Sequence, residues 1–136
     1  MHLEYTVIEG DFANAGCASS TVKKVLKQLN LPAAIVKRVV VALYEAEVNA
    51  IAHAYGGTVA VDIAADHIRM VVDDRGPGIA DVALAMQEGY STASPEVRNM
   101  GFGAGMGLPN IQKNVDRLEI DSRVGEGTRV EMEVGF

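Results

Sequence analysis

The chain of 136 residues is poor in several features, and each shortage excludes a class of protein. Its one cysteine, Cys17, excludes an internal disulfide and a metal site built from several thiolates, and we expect it to be a small buried side chain in a helix. No apolar run reaches the roughly 18 residues of a membrane span. The first residues lack the basic start and apolar stretch of a signal peptide. We therefore expect a cytoplasmic protein without membrane contact.

Cationic residues are also scarce. Twelve lysines and arginines stand against 18 acidic residues, which gives a formal net charge of −6 and argues against a nucleic-acid partner. An acidic chain can still bind ATP, because a metal ion and backbone N–H groups neutralise the phosphates locally. The length and the apolar content of 49% predict a single domain over residues 1–136 with one core.

Periodicity predicts an α/β two-layer sandwich, with helices on one face of a mixed, mostly antiparallel sheet. Strands are predicted at 3–7, 58–63, 67–74, 118–123 and 128–134. Helices are predicted from a cap at Asp11 to Leu29, then over 33–55, 79–89 and 108–118. The stretch 90–107 has no apolar period and contains alternating glycines, so it is predicted to be a loop.

The helix predicted over 33–55 has two different faces. At about 100° per residue, one side carries the core residues Val36, Val40, Leu43, Ala50, Ile51 and Ala54. Nearly opposite lie Glu45 and Asn49, one turn apart and flanked by alanines at 42 and 52 that leave space beside them. This stripe is either an ordinary solvent face or a site in which the Asn49 oxygen binds Mg²⁺ and Glu45 takes a proton from a hydroxyl. His53, at its edge, is more typical of a structural histidine than of a ligand.

Asp74 continues the inward phase of Ile68, Met70 and Val72, whereas Asp73 points the other way. A carboxylate on a core face is costly unless something hydrogen-bonds it, and an adenine amino group is a suitable donor. Thr128 has the same inward phase on the last strand, so its hydroxyl can reach the same base. The alternative is a plain Asp-x-Gly turn after a strand.

The glycines at 101, 103, 105 and 107 precede a helix, so their N–H groups can wrap phosphates at its N-terminus. The alternative is a flexible surface loop. The spacing fits neither a Rossmann fingerprint nor a Walker loop, because no glycine stands at the third Rossmann position and no lysine follows a glycine. Arg98, at the leading edge with Ser91 and Thr92, either offsets γ-phosphate charge or is a solvated surface arginine.

Together these segments resemble the GHKL ATPase superfamily over essentially the whole chain. Glu45-x-x-x-Asn49 with the following Ala-Ile-Ala-His-Ala-Tyr is similar to its N box. The stretch 74–79 is similar to the G1 box, 103–108 to the G2 box, and Gly125-Glu-Gly-Thr128 to the closing G3 segment. Within the superfamily, the chain resembles the small serine kinases that act as anti-sigma factors or stress-switch kinases.

The resemblance implies roles for particular residues. Glu45 would be the catalytic base, Asn49 would hold Mg²⁺, and Asp74 would accept from the adenine amine with support from Thr128. The loop 90–107 would be the ATP lid. Further ATP contacts are implied for Gly76, Gly78, Ile79, Ser91, Thr92, Arg98, Gly103, Gly105, Met106, Gly107 and Leu108.

The implied activity is ATP-dependent phosphorylation of a serine on a STAS-type anti-anti-sigma protein, with a sigma factor or switch protein as the other client and a homodimer as the assembly. The first half of the chain is more similar to the sigma-binding kinases and the second half to the switch kinases, so the client stays open. Two other functions also remain open: a non-catalytic, ATP-gated protein-binding module, and a stand-alone histidine-kinase catalytic domain. The latter would need a phosphoacceptor histidine on another chain, and the histidines at 2, 53 and 67 do not suggest one.

Overall fold

A computed structural model describes residues 1–8, 10, 12–53, 56–75 and 107–136. Within these residues, the helices are a short 3-10 turn at Phe12–Asn14, α1 (Cys17–Gln28), α2 (Ala33–His53) and α3 (Gly107–Asn114). The strands are β1 (His2–Val7), β2 (Gly57–Ile63), β3 (His67–Asp74), β4 (Arg117–Arg123) and β5 (Gly127–Gly135). None of the described helices is both long enough and apolar enough to span a bilayer.

The described strands form one sheet in the order β1-β2-β3-β5-β4, and each pairing between them is antiparallel. Because side chains alternate along each strand, the register lines up apolar residues in rows that cross the sheet. One such row is Tyr5, Val59, Val72, Val130 and Ile120. These rows form the floor of the core.

The other face of the sheet is covered with charges and carries ion pairs, including Arg69–Glu131 and His2–Asp62. The pKa of Glu131 is lowered mainly by its hydrogen bond from Arg69. A sheet with one apolar and one charged face fits a fold with helices on one side only, since an antiparallel sheet can leave its second face in water. The two-layer α/β sandwich expected from the sequence is confirmed.

α2 is the central helix of the upper layer. Its fully buried residues Val39, Leu43 and Ala42 belong to the same core cluster as the sheet. α1 packs beside it through Val22 and Leu26, and α3 packs on its other side through Ile111. The site described below is built along α2.

The predicted strands and the central helix match the structure within one or two residues at each bound that the structure describes. α1 differs, because it begins at Cys17 after a left-handed Gly16 and not after a cap at position 11. Cys17 is exposed, which contradicts the expected buried side chain. The reason is its position: the next two residues, Ala18 and Ser19, face α2, and this leaves Cys17 on the solvent side of the first turn.

Candidate functional site

The core-facing row at the end of the sheet differs from the others because it contains polar side chains. It runs across the strands through Val7, Gly57, Asp74, Thr128 and Ser122. Asp74 is half-buried and its Oδ1 accepts the backbone N–H of Thr128 at 3.1 Å. The Thr128 hydroxyl, on a residue only 7% exposed, lies 2.8 Å from the hydroxyl of Ser122. The inward directions predicted for Asp74 and Thr128 are correct, and Asp73 is exposed as expected.

Glycines on both neighbouring strands let the backbone approach the end of β3 closely. A Cβ on Gly57 would lie 2.2 Å from the Asp73 carbonyl oxygen, and one on Gly127 would lie 2.1 Å from that of Asp74. Gly127 also has φ +121°, which other residues rarely adopt. The Asp74 carboxylate is therefore held by a backbone arrangement that tolerates no side chain at either position.

Glu45 lies on the flank of α2 that α3 covers. The Asn110 side-chain amide of α3 donates to Glu45 Oε1 at 3.3 Å. Two turns earlier on α2, Arg38 donates to the Asn114 carbonyl oxygen at 3.1 Å and to Asp116 Oδ1 at 2.7 Å. Ala42 lies between these contacts and is fully buried, so the space predicted beside it is absent: α3 fills that part of the face.

The environment of Glu45 changes its acidity. Burial raises the pKa of Glu45 above its ordinary value, because removing water disfavours the carboxylate. The hydrogen bond from Asn110 acts in the opposite direction, since it stabilises the charged form. A half-buried carboxylate with a raised pKa is better suited to accepting a proton than an exposed glutamate.

Asn49 lies one turn beyond Glu45 and is half-buried, and no described residue makes a hydrogen bond to its side chain. The topology brings it to the same end of the molecule as Asp74. α2 ends at His53, four residues after Asn49, and Gly57, four residues further on, pairs with Asp74. The Arg75 N–H also donates to the Gly56 carbonyl at 3.1 Å, which fixes this corner.

Most of the predicted loop residues lie outside the described part of the chain. This applies to the helix over 79–89 and to Gly76, Gly78, Ile79, Ser91, Thr92, Arg98, Gly103, Gly105 and Met106. Gly107 is the first residue of α3. The Leu108 side chain belongs to the core, so its part in a phosphate site would have to be through its backbone N–H.

Sequence analysis did not identify Glu47, which is the most deeply buried charged residue among those described, at 3% exposure. Its two carboxylate oxygens accept the N–H groups of Ala18 at 3.1 Å and Ser19 at 3.2 Å. These are unsatisfied donors in the first turn of α1, where a negative charge is also favoured by the helix dipole. Glu47 thus caps α1 from another helix.

Replacing Glu47 with alanine is expected to lower the free energy of unfolding by about 2–4 kcal/mol, because two buried N–H groups lose their acceptor. Glutamine keeps one acceptor oxygen and should cause a smaller loss. Urea denaturation measures both. The control is Glu126→Ala, at an exposed turn residue whose ion pair with Arg123 is 3.9 Å long, which should change stability by less than about 0.5 kcal/mol. Equal effects at 47 and 126 would contradict the capping role.

Asn110 and Ser122 were also missed, and the sequence carried only a weak signal for each. Ser122 continues the alternating phase of Leu118 and Ile120 on β4, so it could have been placed in the inward row. Asn110 lies on α3, whose packing against α2 depends on the fold and not on local spacing. Both residues contact a predicted site residue.

Residues 8–134 match the family model described as the histidine kinase-like ATPase domain, so the chain belongs to this GHKL-type family. Its relatives include serine kinases and anti-sigma factors. The anti-sigma F factor of Thermoanaerobacter sp. (strain X514) is 33% identical over 140 aligned positions, which cover 96% of this chain and 94% of the relative. The serine/threonine-protein kinase RsbT of Bacillus subtilis (strain 168) is 28% identical over 113 positions, which cover 80% and 79%.

Solved structures agree on the fold. The RsbU and RsbW domains of a Mycobacterium tuberculosis protein superpose with a TM-score of 0.67 at 18% identity, covering 98% of this chain. That match spans 32% of the larger mycobacterial chain. The mycobacterial sensor histidine kinase MprB superposes with a TM-score of 0.56 at 17% identity, covering 99% of this chain and 97% of the other.

Proposed function

We propose that this chain is an ATP- and Mg²⁺-dependent protein-serine kinase that acts as an anti-sigma factor or regulatory switch. The observation that carries the proposal is the position of Glu45. It is a half-buried carboxylate with a raised pKa, held by Asn110 and one turn from the amide of Asn49. A plain solvent stripe would show neither the burial nor the hydrogen bond from α3. The names of the relatives, one a serine/threonine-protein kinase and one an anti-sigma factor, support the same activity.

The nucleotide would lie at the end of the sheet where Asp74 and Thr128 face inward. A carboxylate has room for several hydrogen bonds, so Asp74 can hold the Thr128 N–H and also accept from an adenine amine. Gly57 and Gly127 let the neighbouring backbone pack closely against the end of β3, which fixes the position from which Asp74 would meet the base. The phosphates would extend towards Asn49 and the start of α3, where backbone N–H groups favour anions.

The metal fits the donor set of this chain. Mg²⁺ prefers oxygen ligands and keeps several waters, so one protein oxygen with the phosphates satisfies it. Asn49 offers a half-buried amide oxygen at the appropriate end of α2. When bound, the ion would neutralise phosphate charge and orient the terminal phosphoryl group.

In the proposed reaction, a serine hydroxyl oxygen of the partner attacks the γ-phosphorus of ATP. The bond from that phosphorus to the bridging oxygen breaks, and ADP leaves with the electron pair. The hydroxyl proton passes to the Glu45 carboxylate and later to solvent. The products are phosphoserine and ADP. Glu45 must therefore be ionised at the start of each turnover.

The proposed substrate is a serine on a STAS-type anti-anti-sigma protein, and the second client is a sigma factor or switch protein. We further propose that residues 1–136 form one kinase domain, that residues 90–107 are its ATP lid, and that it acts as a homodimer in the cytoplasm. Incubating the purified chain with γ-labelled ATP and a purified STAS-type protein from the same organism tests the activity. Label on a serine of the partner is expected. Intact ATP binding without any label would contradict the kinase and favour a non-catalytic, ATP-gated module.

Asn110 gives this proposal a pH-dependent test. Replacing Asn110 with alanine removes the hydrogen bond that lowers the pKa of Glu45, so the pKa should rise further. The acid limb of the kcat profile should then move to higher pH, with less than about a tenfold loss of kcat on the alkaline plateau. The control is Asn114→Ala, on the same helix, where the amide contacts only the Asn110 carbonyl among the described residues. An unshifted profile for Asn110→Ala would assign this residue a purely structural part.

A further inference from the structure

The charges of this acidic chain are unevenly distributed along the sequence. Residues 12–44 contain no aspartate or glutamate, and they carry five of the twelve cationic residues, namely Lys23, Lys24, Lys27, Lys37 and Arg38. This stretch therefore has a net charge of +5 against −6 for the whole chain, so the remaining residues together carry −11. The stretch is α1 and the first half of α2.

A groove of about 550 Å³ lies between the second half of α1 and the first half of α2. Its apolar lining residues are Leu31, Ala33, Val36, Val40 and Val41. Val40 was predicted to be a core residue but is only half-buried, because no element covers it on this side among the described residues. The groove is an apolar surface open to solvent.

Lysines also line this groove: Lys23 and Lys27 on α1, and Lys37 on α2. None of the ion pairs within the described part of the chain includes any of the three, whereas the neighbouring Arg38 is bound to Asp116. Among the residues that the structure describes, no acidic side chain lines the groove. Three cations that make no ion pair with any described residue, placed around an apolar floor, are complementary to a ligand that is apolar on one side and negatively charged on the other.

The groove is separate from the proposed nucleotide site. Lys37 precedes Glu45 by eight residues, which is about 12 Å along the helix axis. Val40 and Glu45 also lie on nearly opposite sides of α2, at about 140° around the helix. Val41, which also lines the groove, lies one turn before Glu45, so the groove borders the Glu45 side of α2 but includes neither Glu45 nor Asn49.

We propose that this groove is a docking site for an acidic amphipathic helix of a partner protein. The apolar residues of the helix would occupy the floor at i, i+3 or i+4, and i+7 spacing, and its carboxylates would meet the three lysines. The apolar floor favours a peptide over a nucleic acid, since phosphates would leave the valines and Leu31 exposed to water. The concave shape favours a helix over an anionic membrane, since a helix can enter a groove between two helices. The proposal does not depend on kinase activity, because no residue of the nucleotide site contributes to the groove.

The test uses a fluorescein-labelled helical peptide of about 18 residues, with leucines on one face and glutamates elsewhere. Fluorescence anisotropy with the full chain, without nucleotide, should show saturable binding with a Kd of order 10–100 μM that weakens as salt is raised. A peptide with lysine in place of every glutamate, and one with alanine in place of every leucine, should each bind at least about tenfold more weakly. Amide chemical-shift changes should fall on residues around Val40 and Lys27.

Two lysine-to-glutamate variants distinguish docking in the groove from non-specific electrostatic attraction of the acidic peptide to the basic surface. The double variant K23E/K27E should weaken peptide binding at least about tenfold. K24E lies on the same helix but does not line the groove, and should weaken it less than about threefold. Circular dichroism establishes that both are folded. The proposal is overturned if the acidic peptide does not bind, if K24E matches the double variant, or if duplex DNA or phosphatidylserine vesicles displace the peptide from the groove at lower concentration.

Discussion

Replacing Glu45 with glutamine is expected to lower the rate of phosphoryl transfer to the proposed STAS-type partner by about 10²- to 10⁴-fold, the usual contribution of a positioned general base. Glutamine has the same shape and keeps an oxygen to accept from Asn110, so α3 should stay in place. ATP affinity should change less than about threefold, because the base acts on the hydroxyl of the partner. Single-turnover transfer of labelled phosphate measures the rate, and calorimetry measures the binding.

The matched control is Glu126→Gln, the same chemical change at an exposed turn residue, which should leave both quantities unaltered. An unchanged rate of phosphoryl transfer in Glu45→Gln would contradict the role of Glu45 as the general base. If the parent itself transfers no phosphate and ATP-dependent partner exchange is the same in Glu45→Gln, the chain would be the non-catalytic, nucleotide-gated module. Loss of ATP binding together with activity would instead give Glu45 a structural part in the nucleotide site.

Replacing Asn49 with alanine is expected to lower the affinity for ATP in the presence of Mg²⁺ by more than about tenfold, or 1.4 kcal/mol. The physical reason is loss of the protein oxygen that would anchor the metal. With Mg²⁺ removed by a chelator, the variant and the parent should bind ATP about equally, since adenine recognition at Asp74 does not involve the metal. Calorimetric titrations with and without Mg²⁺ give both comparisons.

The control for Asn49 is Asn114→Ala, which removes an amide of the same kind from α3 and should preserve the Mg²⁺ dependence. Two results would contradict the metal-binding role. One is a change within about tenfold in Mg²⁺, and the other is an equal loss with and without the metal.

Periodicity predicted the layout of the fold because each strand has one buried face. The alternation of apolar and polar residues in β3 and β5 predicted both strands and also the inward direction of Asp74 and Thr128. The predicted start of α1 was wrong, and the reason is physical. Its cap comes from Glu47, which lies 28 or 29 residues away along the chain, and no local pattern shows such a contact.

The site was predictable where it depends on spacing within one element, and not where it depends on packing between elements. The four-residue spacing of Glu45 and Asn49 placed them together on α2. The prediction of empty space near Ala42 was wrong, because α3 lies over this residue. The same packing supplies Asn110 as a hydrogen-bond partner for Glu45. The roles assigned to the residues between positions 76 and 106 remain predictions from the family resemblance.

The central proposal is that a magnesium-bound adenine nucleotide binds between Asn49 on α2 and the end of the sheet, with its base against Asp74. Calorimetric titration of the parent and of Asp74→Asn with Mg–ATP and Mg–GTP tests this directly. The parent should prefer ATP over GTP at least about tenfold. Asp74→Asn should lose at least about tenfold in ATP affinity, because its one oxygen cannot replace two carboxylate oxygens and its NH2 group would face either the Thr128 N–H or the adenine amine, both of which are donors. Equal ATP binding by the two proteins, or a parent that binds ATP and GTP alike, would contradict the account.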